Sequence, residues 1–74
     1  MTTSTKNYIY NDAKVRVVAT DDNHRMIDEI IYDDVTKVSY DADLDGEYFR
    51  IYTKDESEAT YHVAYGFYWE LIEK

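Results

Sequence analysis

Between Asp28 and Glu47 the sequence reads DEIIYDDVTKVSYDADLDGE, with eight carboxylates and a single cation, Lys37. The acids are Asp28, Glu29, Asp33, Asp34, Asp41, Asp43, Asp45 and Glu47; eight acids less one base leave −7 of the chain's formal −8. Carboxylates at this density suit three kinds of chemistry. They can ligate a hard cation through oxygen, exchange protons in acid–base catalysis, or attract a basic partner. No spacing singles out an acid–base pair. His24 and His62 share no metal-ligand spacing, and Ser4, Ser39 and Ser57 lie in no nucleophile motif. There is no Cys to act as a nucleophile, and Gly46 and Gly66 alone cannot build a phosphate-cradling loop. The chain is therefore expected to be non-catalytic and to need no cofactor.

The run Asp41-x-Asp43-x-Asp45-Gly46 resembles the start of an EF-hand or related calcium loop, in which Gly lets the chain turn around the ion. It departs from that pattern where the pattern decides affinity. The twelfth position is Tyr52 in place of a bidentate Glu, and the ninth, acidic in the beta-propeller form of the loop, is Phe49. A solvated hairpin turn is the simpler reading, with weak calcium binding as an alternative, and no metal site is expected.

That leaves the basic partner. A polyanionic nucleic acid or an anionic membrane would be repelled by this charge, whereas a basic protein would be drawn to it. Tyr is enriched at interface hot spots, and its ring can receive Arg or Lys. The expected partner-binding residues are therefore the eight acids together with Tyr40, Tyr48 and Tyr52.

These residues need a fold to place them. A 74-residue chain forms one domain of marginal stability; Met1 to Lys6 read as a disordered polar head, with the domain over 7–74. Ile, Leu, Val and Phe are few, so nine Tyr and Trp69 must supply much of the core. Strands are expected at 7–10, 13–20, 25–32 and 35–40, with turns at Asn11-Asp12 and Asp21-Asp22-Asn23 and a break at Asp33-Asp34. The adjacent Ile30 and Ile31 suggest burial on both faces or a bulge. From Glu47 to Lys54 the alternation is clear: Phe49, Ile51 and Thr53 face one way, Tyr48, Arg50 and Tyr52 the other. A strand at 59–65 completes a hairpin with Phe49, Ile51, Tyr61 and Val63 inward. After Gly66, the residues Phe67, Tyr68, Leu71 and Ile72 fit one helical face, which predicts a short C-terminal helix; one long strand over 59–69 is the alternative. The fold class is thus α+β and mainly β: an antiparallel meander of four to six strands with the helix packed on the sheet.

Two likenesses bear on function. The segments 31–38 (IYDDVTKV) and 46–55 (GEYFRIYTKD), followed by a closing helix, resemble the C-terminal part of bacterial pleckstrin-homology-like domains over residues 30–74. The resemblance implies a helix on a bent sheet and a role as an interaction module, without the basic lipid-headgroup loop of some members. In size and acidity the chain is similar to small anti-restriction and anti-CRISPR inhibitors of phages and mobile elements. The expected function is that of an acidic inhibitor or adaptor occupying a basic, nucleic-acid-binding surface of a partner protein. A pleckstrin-homology-like module with no nucleic-acid connection is the alternative. Without an apolar leader or membrane span the expected compartment is the cytoplasm, and an exposed sheet edge leaves monomer and homodimer both open.

Overall fold

The computed structural model describes residues 4–73 and is all β. Its strands are β1 (Ser4–Thr20), β2 (Met26–Asp43), β3 (Gly46–Thr53), β4 (Glu58–His62) and β5 (Phe67–Glu73), with a 3-10 turn at Val63–Tyr65. All pairs are antiparallel and the strand order is β4-β3-β2-β1-β5. Met1 to Thr3 of the expected polar head lie outside the described residues, whereas Ser4 to Lys6 belong to β1.

Two of the expected breaks are bends inside long strands. An 18-residue strand such as β2 would extend roughly 59 Å if straight, yet the longest dimension of the molecule is 33 Å. Both long strands therefore fold over. They do so where single residues take left-handed backbone, Asp12 at φ 62° and Asp34 at φ 58°, beside register shifts on either side of Ala13↔Val35. Asp is among the few residues that tolerate this conformation, and one such residue makes a bulge that bends a strand without ending it. Lys54, just past the end of β3, fastens the bend: its backbone N–H donates to Asp34 O at 3.0 Å, and its ammonium pairs with Asp12.

The bend divides the sheet into two regions. In one, the start of β1 and the end of β2 are continued by β3 and β4. In the other, the end of β1 pairs with both the start of β2 and β5. The core lies between them: Ala13, Val15, Val17, Val35, Val38, Phe49 and Ile51, with Tyr10, Tyr32, Tyr61, Phe67 and Trp69 packed against it. Aromatic contacts tie the regions together. Tyr61 stacks on Phe49 at 5.4 Å and meets Phe67 of β5 at 5.1 Å, while Tyr8 meets Trp69 edge-on at 5.4 Å. Val63, expected inward, lies exposed in the 3-10 turn.

The expected C-terminal helix is absent; residues 67–73 form β5. Its spacing satisfies both periods, since Phe67, Trp69 and Leu71 also alternate with Tyr68, Glu70 and Ile72. Seven residues are too few to hold a helix in water, whereas β1 offers a full row of backbone partners. Gly66 makes the entry possible. It takes φ 87°, and its carbonyl accepts from Thr20 N at 2.9 Å and Thr20 Oγ1 at 2.8 Å. A Cβ there would stand 2.6 Å from Thr20 O. The α+β assignment is thereby corrected to all β.

Candidate interaction surface

The eight acids do not form one face. Asp28 and Glu29 lie opposite Ala19 and Val18 in the three-stranded region, and Asp33 and Asp34 lie at the bend. Asp41 sits in the other region between Thr5 and Tyr48, and Asp43 and Asp45 flank the β2–β3 turn. Glu47 starts β3 opposite Ala42. The acids thus fall into two groups on either side of the bend, and Asp41 has no acid beside it on the neighbouring strands.

The group beyond the bend is engaged internally. Asp41 accepts from Thr5 Oγ1 at 2.8 Å, Asp43 accepts from the Asp45 backbone N–H at 2.8 Å, and Glu47 accepts from the Tyr40 hydroxyl. The Glu47 bond, more than partial burial, raises the Tyr40 phenol above its ordinary pKa. Among the described residues no group of three or more His, Asp or Glu is placed to hold a metal ion.

Phe49 and Ile51 are buried, so the expected inward face of β3 is the observed one, and Tyr48, Arg50 and Tyr52 face outward. Cations already cover these rings: Lys37 Nζ stands 4.3 Å from the Tyr52 centroid and the Arg50 guanidinium 5.2 Å from that of Tyr48. His62 adds a ring contact to Tyr48 at 5.6 Å. With Asp41 and Glu58 on the same rows, this face is close to neutral. Tyr40 belongs to the opposite face, in register with Phe49 and Tyr61.

The group before the bend has different surroundings. β3 pairs with β2 only from Val35 to Asp43, so Met26–Tyr32 has a strand partner, β1, on one side alone. This stretch exposes Met26 (58%), Ile27 (67%), Ile30 and Ile31. The adjacent isoleucines, expected to be buried or bulged, instead stand on opposite faces of an unpaired edge. The acids are partly tethered from β1: Arg16 pairs with Glu29 at 3.1 Å and with Glu70 of β5, and Lys14 with Asp33 at 3.7 Å. The Glu70 contact is the main reason the Arg16 guanidinium is held above its ordinary pKa.

Where β3 turns away, a cleft opens against the bend, lined by Tyr32, Asp33, Asp34, Asp55, Glu58 and the apolar Ile51 and Ala59. Its one cation, Lys54, is tied to Asp12. Sequence reasoning missed the cleft and the four exposed apolar residues, because nothing in the chain marks where β3 stops pairing with β2.

Comparison with protein-family models, with curated proteins and with solved structures returned no match. Among the described residues no helix is long and apolar enough to cross a membrane.

Proposed function

We propose that this chain is a non-catalytic acidic interaction domain that binds a basic protein through the first half of β2, Met26–Asp34. The observation that carries the reading is the coincidence there of four exposed apolar side chains with Asp28, Glu29, Asp33 and Asp34 on a strand unpaired along one side. Apolar area supplies affinity; the acids select a cationic partner and speed its approach. A surface that ordinarily holds nucleic acid meets that requirement, so the role we favour is that of an inhibitor or adaptor of such a protein. Because the acids form two groups, recognition rests on one apolar and acidic patch and needs no imitation of duplex phosphate rows.

The test is affinity capture from host lysate at low and high salt with three baits. One is the wild type, the second carries Asp28→Asn, Asp33→Asn and Asp34→Asn, and the third carries Asp41→Asn, Asp43→Asn and Asp45→Asn. A basic partner lost at high salt and with the second bait, but kept by the third, is the expected result. Equal loss with both variants would assign the acidity to bulk charge and remove the site.

A further inference from the structure

The unpaired stretch of β2 has an order that specifies more than charge. Met26-Ile27-Asp28-Glu29-Ile30-Ile31 reads apolar-apolar-acid-acid-apolar-apolar, and the pattern is the same in either direction. Side chains alternate faces along a strand, so over the regular pairing of 28–32 Glu29 shares one face with Ile31 and Asp28 the other with Ile30, while Met26 and Ile27 adjoin the acids across a register shift opposite Ala19 and Thr20. A row of backbone donors and acceptors open on one side is satisfied best by another extended backbone.

We propose that this edge receives an extended basic segment of a partner protein as an added strand, in the row that β3 vacates at the bend. The proposal rests on the reading of the domain as a binder of basic protein and supplies its mode. Residues directly opposite share a face, so the incoming segment carries two adjacent Arg or Lys flanked on each side by two apolar residues. Strand direction does not alter this requirement. A further cation beyond one apolar pair enters the cleft, where Asp33, Asp34, Asp55 and Glu58 surround the apolar floor of Ile51 and Ala59.

Charge complementarity selects this occupant over a second copy. Antiparallel self-pairing of β2 in the register that sets apolar pair against apolar pair would place Asp28 against Glu29 of the other molecule, and pairing with β5 would bring up Glu70. Like charges directly opposite destabilise a sheet. The acids that keep copies apart are the same ones that a basic strand neutralises.

The probe is a synthetic peptide with the core Ile-Val-Arg-Arg-Val-Ile. Two controls accompany it: the same composition with the arginines moved to the two ends of the core, and the original core N-methylated throughout. Binding is followed by fluorescence anisotropy, and amide hydrogen exchange of the intact protein is followed by NMR. The first peptide is expected to bind saturably and to slow exchange at alternate amides within 26–32, the ones on the open side. Moving the arginines, N-methylating the core, or placing Ile27→Lys with Ile31→Lys in the protein should each weaken binding by about tenfold or more.

Equal binding of all three peptides with no protection at 26–32 would overturn strand addition and leave only ionic attraction. No peptide binding at low salt, alongside lysate capture that still depends on Asp28, Asp33 and Asp34, would also overturn it while the broader reading stands. Loss of both peptide binding and capture would remove the two together.

Discussion

The two regions on either side of the bend share the same pair of strands and treat them oppositely. Beyond Asp34, β2 lies between β1 and β3, the outward tyrosines of β3 are covered by Lys37 and Arg50, Asp41 and Asp43 are bonded to Thr5 and the turn backbone, and Glu47 of β3 to Tyr40. Before Asp34, the same strand has one neighbour, exposed isoleucines, and acids held by exposed ion pairs and, at Asp28, by the Glu29 backbone N–H at 2.8 Å. Acidity alone does not distinguish the two. What distinguishes them is which backbone and apolar groups remain without partners, and that is where binding free energy can still be gained.

Phe49 joins the two regions through Tyr61 and Phe67. Phe49→Ala should cost about 3–5 kcal/mol, a large share of what a domain this small possesses. Urea unfolding followed by far-UV circular dichroism and by Trp69 fluorescence should give one coincident transition. Separate midpoints would show that the regions fold independently.

Gly66→Ala attacks only the three-stranded region. With φ at 87° and Thr20 O at 2.6 Å from the new Cβ, the loss should be about 1–3 kcal/mol, read from the same unfolding curve. Retained stability would mean that β5 contributes little to holding β1.

Ile27→Lys with Ile31→Lys should sharpen the contrast from the other side. Both residues are exposed, so the unfolding free energy should change by no more than about 0.5 kcal/mol even as partner binding falls. A large drop in stability would show that these side chains belong to the core.

The smallest effect is a pH effect at the β3–β4 turn. Hydrogen bonds from Thr53 first, then Ser57, hold the Asp55 carboxyl below the ordinary carboxylate pKa. Its stabilising contribution is therefore complete above that ordinary value and is lost as pH falls through the lower, folded one. A carbon-13 NMR titration should place Asp55 below the ordinary carboxylate range, and Asp55→Asn should flatten the acid limb of the stability profile slightly.

Much of the β3–β4 hairpin was legible in the sequence because strict alternation over 48–53 leaves one assignment of faces, and Phe49 and Ile51 could only go inward. Asp12 and Asp34 were legible as interruptions but not as bends, since the same left-handed Asp serves a turn or a bulge and only the partner strand decides. Residues 67–73 satisfied two periods at once. What resolved them was the vacant side of β1, a fact about strands some fifty residues away in sequence. Of the candidate site the acids were visible as a cluster, but their division into two groups follows from a fold-over that composition does not encode. The free edge was invisible for the same reason.

That β1 is bordered by β5 has a consequence for synthesis. β1 is made before the other four strands and is completed last: Glu73 follows Thr20 by 53 positions (73 less 20), roughly 3–10 s of translation. Throughout that interval Val15 and Val17 lack the Trp69 and Leu71 that will flank them. A nascent chain in this state leaves the Lys14–Ala19 side of β1 open beside the lasting gap along Met26–Tyr32, and only the emergence of Phe67 to Glu73 closes the first.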